Sequence, residues 1–302
     1  MSKRSPASAG HEGGFRMSSA SQAYTETDVK QFFDQTLRTY LAFWDDGGVL
    51  HTGYFTGDDD EDYRSAAGRT SDVLIAEAGL DPSSYVLDVG CGCGNLLIDI
   101  AARIGCSGEG LDLSEERINF AREKLATESR ERTLDVQFRV GSATGMPYAD
   151  GTFSHVVSQD SLCLVPDKPR THAEMHRVLR PGGVLALSDF LQQKEEISER
   201  ARTHVFARVR SNGGYSLVGY QAALERAGFE IMLARNLTGH LRQNYRVLGK
   251  AARERAAGTP DAAARDWMLA FAESCGEIEI AIDDGEFGWG MLVARKPDGR
   301  RR

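Results

Sequence analysis

The sequence predicts an α/β fold, with a doubly wound, mostly parallel sheet of seven strands, helical lid insertions in the C-terminal half and an N-terminal helical segment. Two observations carry this prediction. Short apolar runs alternate with amphipathic stretches from about residue 65 to 190, which is typical of repeated strand–helix units. Further on, two long helical stretches interrupt the alternation before a last apolar run at 287–296.

Composition is typical of a soluble globular protein. It has 302 residues, 41% hydrophobic and 26% charged, with a net charge of −8 and no basic cluster, so a nucleic-acid surface is not expected. No apolar run reaches the roughly 18 residues of a membrane span, so we expect no membrane association. Five scattered cysteines indicate a reducing compartment, and the expected localisation is cytoplasmic.

The N-terminal part predicts a tail followed by two helices. Residues 1–22 are rich in Ser, Gly and Ala and are expected to be a disordered tail, which leaves 23–302 as a single domain. The stretch "TETDVKQFFDQTLRTYLAFW" has helical apolar spacing after an N-cap-like Thr27–Asp28. A second amphipathic helix, "YRSAAGRTSDVLIAEAGL", ends at Gly79.

Five strands alternate with helices in the predicted core, which spans about 65–190. The strands are expected in "YVLDVG", "GEGLDLS", "DVQFRVGSA", "FSHVVSQDSL" and "VLALSDFL", and the intervening helices in "NLLIDIAARIG", "EERINFAREKLATES" and "PRTHAEMHRVLRPGG". The core therefore predicts helices on both faces of a parallel sheet.

The second half predicts two lid segments, at about 191–217 and 239–283. Residues 194–211 are expected to form a charged helix, "YSLVGYQAALERAGFEIMLARNLT" a helix followed by a strand, and 240–282 to be mostly helical. The run "FGWGMLVARK" is expected as a closing strand. Insertions of this size on a doubly wound core often cover the ligand crevice. The alternative is that they only add core or form a contact between copies in a homo-oligomer.

The loop "GCGCG" follows the first core strand, at the edge where such sheets bind ligands. Its spacing is G-x-G-x-G with Asn95 next, which fits a dinucleotide loop poorly because the third glycine of that motif is missing. Asp112 lies 22 residues after Gly90 at the end of the next strand, the interval at which an acid meets a ribose. The pattern predicts a nucleoside ligand without a strong phosphate-binding device.

Simpler explanations exist for these residues. Cys91 and Cys93 supply two metal ligands where a structural zinc needs four, so we expect no metal. Asp88 could cap the following turn, and Asp112 could cap a helix, although Ser114 already fits that position.

Four motifs together resemble the class I S-adenosylmethionine-dependent methyltransferases, which have a Rossmann-like fold. They are "VLDVGCGCG", "GLDLS", "GSATGMPYADGTFSHVVSQDSL" and "RVLRPGGVLALSDF", in the family's order and spacing. The segments "GVLHTGYF", "SQDSLCLVPDK" and "FGWGMLVARK" are further similar to sarcosine/dimethylglycine N-methyltransferases and related natural-product methyltransferases.

The resemblance implies S-adenosylmethionine as cofactor, S-adenosylhomocysteine as product and a set of binding residues. Its cofactor-binding residues are Asp88, Gly90, Gly92, Gly94, Asp112, Leu113, Ser142, Ala143, Gln159, Arg69 and Tyr54, with His51 as a further residue closing over the cofactor. Relatives often have an acid where Ser142 stands, so an acceptor for the adenine amino group is missing there. Candidates for positioning the acceptor are Tyr54, Gln159, Asp160 and Cys163, with no catalytic residue assigned.

The acceptor is expected to be a small molecule of specialised metabolism, methylated on nitrogen or carbon, with prenyl or terpenoid C-methylation included. Many relatives, sugar O-methyltransferases among them, have histidine at one or both of the positions of Cys163 and Leu164. Such a base matters when the acceptor is a hydroxyl that must lose a proton. The alternatives are a sarcosine/dimethylglycine-type N-methyltransferase, a small-molecule O-methyltransferase and, more remotely, an inactive cofactor-binding scaffold. Arg208, Arg210, Arg242 and Arg246 could hold a carboxylate or diphosphate, or simply lie on a solvated helix face.

Overall fold

Strands and helices alternate around one central sheet in the computed structural model, which describes residues 23–43, 46–57, 61–130 and 133–299. The tail predicted over 1–22 lies outside these residues. The strands are β1 (Tyr85–Val89), β2 (Ser107–Asp112), β3 (Val136–Val140), β4 (Phe153–Gln159), β5 (Leu179–Gln192), β6 (Glu230–Asn236) and β7 (Phe287–Arg295). The helices are α1 (Glu26–Phe43), α2 (Tyr63–Ala78), α3 (Asn95–Ile104), α4 (Glu115–Glu128), α5 (Lys168–Val178), α6 (Glu199–Ala201), α7 (Leu217–Arg226), α8 (Thr238–Gly258) and α9 (Ala262–Asp283).

The sheet has seven strands in the order β3-β2-β1-β4-β5-β7-β6. Strand β7 runs antiparallel between β5 and β6, whereas the other neighbouring pairs are parallel. The predicted fold class is confirmed. Because the chain leaves β1 towards β2 on one side and β4 lies on the other, a crevice opens at the carboxyl ends of β1 and β4.

Buried strand residues point alternately to the two faces of the sheet, as the period of two requires. Val86 and Ala186 belong to one apolar cluster, and Leu87, Leu185 and Leu187 to the other. Side chains from α2, α3, α4, α8 and α9 complete the first cluster, and side chains from α5 and α7 complete the second. Both faces are covered, which explains why the central strands are almost continuously apolar.

The charged helix predicted over 194–211 is present only over residues 199–209, and it is irregular. This segment forms the three-residue α6, then a π-helical turn at Arg202–Phe206 and a 3₁₀ turn at Ala207–Val209, and it ends at Arg210 with φ of 61°. Its buried apolar side chains are Ala201, Val205 and Phe206, and a wider turn brings residues five apart onto one face. The second helical insertion is present as α8 and α9.

Candidate functional site

A cavity of about 160 Å³ lies at the carboxyl ends of β1, β2 and β4. Its wall is formed by the glycine loop after β1, the segments after β2 and β4, and one side of α1. The predicted residues Asp88, Gly90, Gly92, Asp112 and Leu113 all line it, and so do Ala143, Gln159, Asp160 and His51. The described part of the chain therefore brings most of the predicted site residues to one place.

The glycines of the loop at 90–94 divide into two structural roles. Gly90, Gly92 and Gly94 all have left-handed φ, at 73°, 51° and 77°. A Cβ on Gly90 would lie 2.4 Å from the Cβ of Ser161, because the loop passes directly over the end of β4. Gly94 precedes α3 and lies against the ring of Phe138, so it packs the helix on the sheet and is not part of the cavity wall.

Asp112 braces the glycine loop from the end of β2. Its Oδ2 accepts from the Gly92 amide at 2.8 Å and its Oδ1 from the Ser114 amide at 2.9 Å. The N-cap of α4 is Ser114, whose Oγ accepts from the Arg117 amide. Burial raises the pKa of Asp112, while the two amides and the charge of Arg117 oppose that rise. Each carboxylate oxygen keeps a further lone pair for a ligand in the cavity.

Asp88 is the second acid of the cavity, and it lacks such support. It is 2% exposed, and its carboxyl has no hydrogen-bond partner among the described residues. Burial, together with the charge of Asp112, raises the pKa of Asp88 to about 8. A cationic ligand group at this position would give the carboxylate the partner it lacks.

Asp160 follows β4 and ties three distant segments together. Its Oδ1 accepts from Trp289 Nε1 at 2.7 Å and Ser188 Oγ at 2.8 Å, and its Oδ2 from the Thr52 amide at 2.6 Å. These bonds hold the residue at φ of 51°, a region that non-glycine residues rarely adopt. The neighbouring Gln159 donates to Ser71 Oγ at 3.4 Å.

Cys163 is turned away from this cavity. Its amide donates to Asp189 Oδ1 at 3.1 Å, and its side chain lies in the wall of a second, much smaller cavity. Burial raises the pKa of the Cys163 thiol well above its usual value, and the nearby Asp189 raises it further. The thiol is therefore protonated at neutral pH.

Tyr54, Arg69 and Ser142 do not line the main cavity. The Tyr54 ring stacks on His240 with a centroid distance of 4.0 Å, and Arg69 donates to the Tyr54 carbonyl at 3.0 Å while pairing with Glu61. The Ser142 hydroxyl donates to Glu26 Oε1 at 2.7 Å. Their predicted contacts with a cofactor remain predictions.

Sequence reasoning missed the wall contributed by α1 and α4. Glu26, Lys30 and Phe33 of α1 and Arg117 of α4 all line the cavity. The α1 residues belong to a helix far from the motifs, so no local pattern identifies them. One feature of the sequence points to Arg117: it is a charged residue in the first turn of the helix that follows Asp112.

Neither a metal-binding cluster nor a membrane-spanning helix is found within the described ranges. No group of three or more His, Cys, Asp or Glu side chains in 23–43, 46–57, 61–130 and 133–299 is arranged to hold a metal. No helix in these ranges has the length and apolarity needed to cross a bilayer.

The decisive comparison is with a family model described as a methyltransferase domain, which matches residues 80–240, more than half of the chain. The chain belongs to the methyltransferase domain family. This methyltransferase is 31% identical over 280 residues to 27-O-demethylrifamycin SV methyltransferase of Amycolatopsis mediterranei, covering 91% of this chain and 98% of that one. It is also 31% identical over 238 residues to sarcosine/dimethylglycine N-methyltransferase of Halorhodospira halochloris, covering 78% of this chain and 79% of that one.

Among solved structures, the methyltransferase superposes on the cyclase SpnF with a TM-score of 0.76 and 24% identity, over 92% of this chain and 98% of that one. At this identity the likeness shows the fold alone. The recognition of a class I S-adenosylmethionine-dependent methyltransferase, made from the four motifs, is confirmed by the family match and the two relatives.

Proposed function

We propose that this methyltransferase moves a methyl group from S-adenosylmethionine to nitrogen or carbon of a small-molecule acceptor in specialised metabolism. The assignment of the methyl donor rests on one observation: a cavity whose glycine loop is held by a hydrogen bond to Asp112. The cofactor supplies a methyl group made electrophilic by a sulfonium. The protein's task is then to position both reactants and to exclude water.

The residues in the cavity fit the parts of an adenosyl-methionine molecule. Gly90 and Gly92 let the backbone approach the methionine part, and the unpartnered carboxyl of Asp88 would pair with its ammonium group. Asp112 would accept the ribose hydroxyl protons, because a carboxylate offers only acceptors. Leu113 and Ala143 would lie against the adenine.

Glu26 offers a hydrogen-bond acceptor for the adenine amino group, which is missing at Ser142. Its Oε1 accepts from the hydroxyls of Ser142 and Thr144, at 2.7 and 3.1 Å, which fixes the carboxylate beside Ala143 in the cavity wall. We propose that Glu26 accepts from the adenine amino group in place of the acid that relatives carry at the position of Ser142.

Nitrogen or carbon is the first choice for the acceptor atom because the segment after β4 offers no base. The Asp160 carboxylate already accepts three hydrogen bonds, and the Cys163 thiol faces away with a raised pKa. A neutral amine or an electron-rich alkene can accept a methyl group without prior deprotonation, whereas a hydroxyl profits from a general base.

Oxygen is the second candidate, favoured by His51. This imidazole lines the same cavity, and the relative from Amycolatopsis is named for methylation at an oxygen. If His51 is a general base, replacing it with Asn should abolish the acidic limb of the pH profile of kcat as well as lower kcat. A nitrogen or carbon acceptor predicts an unchanged profile.

A betaine-type substrate, as in the relative from Halorhodospira, requires a cation for the acceptor carboxylate. Arg208, in the first of the two predicted lid segments, is one candidate: its Nε is buried without a hydrogen-bond partner, and its guanidinium lies 5.7 Å from the Tyr245 ring centroid. Incubation with sarcosine and dimethylglycine tests this substrate class directly.

The test of the function is a mass-spectrometric screen with trideuteromethyl-labelled S-adenosylmethionine. Polyketide alcohols, sugar alcohols, amines including sarcosine, and prenyl diphosphates are incubated with the wild type and with Asp112→Ala. For one class we expect a product that is heavier than its substrate by one trideuteromethyl group in place of a hydrogen. Only the wild type should form it. No labelled product from any class, with a cofactor that binds, would favour the inactive scaffold.

A further inference from the structure

Arg117, in the first turn of α4, is a buried cation in the wall of the main cavity. It is 4% exposed, and its Nε and Nη2 are buried without a hydrogen-bond partner. No carboxylate of a described residue lies within 4.0 Å of its guanidinium nitrogens. The face of the Phe33 ring lies 4.6 Å from the guanidinium carbon.

This arrangement leaves a charged group incompletely satisfied. An aromatic face attracts a cation but provides no lone pair for its N–H groups. Buried donors without acceptors are costly, and more so when they are charged. Nε and Nη2 are closed off from the cavity, so of the guanidinium nitrogens only Nη1, which lies beside Gly92, is available to a ligand acceptor there.

The position of Arg117 indicates the kind of acceptor. Its Nη1 lies 3.9 Å from where a Cβ of Gly92 would be, and its charge opposes the rise in the pKa of Asp112. Asp112 can only accept hydrogen bonds and Arg117 can only donate them. Two neighbouring hydroxyls match this pair, because their protons can go to Asp112 while their oxygen lone pairs accept from Arg117.

We propose that Arg117 is a cofactor-binding residue that donates hydrogen bonds to the ribose hydroxyl oxygens of the methyl donor. The proposal rests on the function proposed above and assigns the ribose two partners of opposite character, Asp112 and Arg117. The Phe33 ring of α1, which faces the guanidinium, lines the same cavity.

The experiment is calorimetric titration of the wild type and of Arg117→Met with three ligands: S-adenosylhomocysteine and its 2′-deoxy and 3′-deoxy analogues. We expect Arg117→Met to bind S-adenosylhomocysteine about tenfold more weakly, since a charged hydrogen bond is lost. For at least one deoxy analogue, which lacks an oxygen that Arg117 contacts, the difference in affinity between the two proteins should be clearly smaller.

Arg122→Met is the matched control, because it makes the same change on the same helix. The Arg122 guanidinium donates to the Phe138 carbonyl and does not line the cavity, so this variant should bind all three ligands like the wild type. Arg117→Lys provides a second variant in case Arg117→Met does not fold. It keeps the charge but not the planar fork, and it should also bind S-adenosylhomocysteine more weakly.

The outcomes separate the inference from the proposed function. If the wild type binds S-adenosylhomocysteine but Arg117→Met binds it equally well, the role of Arg117 is wrong. An equal loss for all three ligands would likewise overturn the inference, because it would reveal a purely structural role. If the wild type does not bind S-adenosylhomocysteine at all, the proposed function fails and the inference with it.

Discussion

At the scale of single residues, the two acids of the cavity differ in how they are satisfied. Asp112 accepts two backbone amides and holds the glycine loop, whereas the carboxyl of Asp88 has no hydrogen-bond partner in the described chain. Asp88 is therefore costly in the ligand-free protein and available to a cationic ligand group. Active sites commonly contain such groups, whose environment serves binding at the expense of stability.

Replacing Asp88 with Asn should change how stability depends on pH. The pKa of Asp88 in the folded protein is about 8, above its ordinary value of 3.8. Between these two values the folded state holds a proton that the unfolded state has released, so wild-type stability falls as pH rises, by at most about 1.4 kcal/mol per pH unit. Asn cannot titrate. The free energy of unfolding of the variant, measured by urea denaturation, should therefore rise relative to that of the wild type from pH 5 to pH 8. A constant difference across this range would contradict the prediction.

Replacing Gly90 with Ala should be far more damaging than replacing Gly92. Both glycines have left-handed φ, but only a Cβ at position 90 meets another atom closely, at 2.4 Å from the Ser161 Cβ. We expect Gly92→Ala to cost about 1–2 kcal/mol from backbone strain and Gly90→Ala clearly more, by thermal denaturation. Adding Ser161→Gly should recover part of the loss at position 90. Equal effects of the two single variants would show that contact with Ser161 is not what restricts position 90.

At the scale of secondary-structure elements, α1 forms one wall of the cofactor cavity and is attached by side chains. Glu26 bonds to Ser142 and Thr144 after β3, and Asp34 Oδ1 accepts from the Ser114 hydroxyl at 2.6 Å at the start of α4. These bonds join α1 to the segments that would hold the adenine and ribose. Loosening the attachment of α1 is therefore expected to ease the exit of a bound cofactor.

Glu26→Ala should accelerate the release of S-adenosylhomocysteine, because α1 loses one attachment and the adenine one acceptor. We expect an increase of about five- to tenfold in the dissociation rate, measured by stopped-flow displacement. Asp28→Ala is the control: it lies in the same helical turn, but among the described residues its carboxylate accepts hydrogen bonds from Thr25 alone. A similar dissociation rate for Glu26→Ala and the wild type would contradict this role of Glu26.

The elements that the sequence predicts well are those whose pattern is local. Strands such as β1 carry their own apolar run, and α4 carries its own cap at Ser114. The lid segment at 194–211 departs from its prediction, because its charges are typical of a regular exposed helix while Ala201, Val205 and Phe206 are buried in an irregular one. The wall formed by α1 and the burial of Arg117 depend on contacts between distant segments, which a single sequence does not contain.

At the scale of the whole molecule, Asp160 links the N-terminal segment, the middle of the sheet and the C-terminal strand. Its three donors come from Thr52 before α2, Ser188 on β5 and Trp289 on β7. Strand β7, the last in sequence, is thus tied to the segment beside the cofactor cavity. We interpret Asp160 as a structural anchor of the site, which leaves its carboxylate little capacity to act as a base.

Asp160→Ala should destabilise the protein by at least about 3 kcal/mol, because three donors lose their acceptor and Ala tolerates a positive φ poorly. Asp160→Asn should cost less, since Asn keeps one acceptor oxygen and adopts this conformation more readily. Urea denaturation of both variants measures the difference. Losses below about 1 kcal/mol in both would contradict the anchoring role.

The central claim is that the glycine loop and Asp112 hold the nucleoside of the methyl donor. The most direct measurement is calorimetric titration of S-adenosylhomocysteine into the wild type and into Asp112→Ala, with circular dichroism to confirm that both are folded. The account predicts one site per chain in the wild type and an affinity at least about tenfold lower in the variant. Equal affinity in the two proteins, or no binding by the folded wild type, would contradict it.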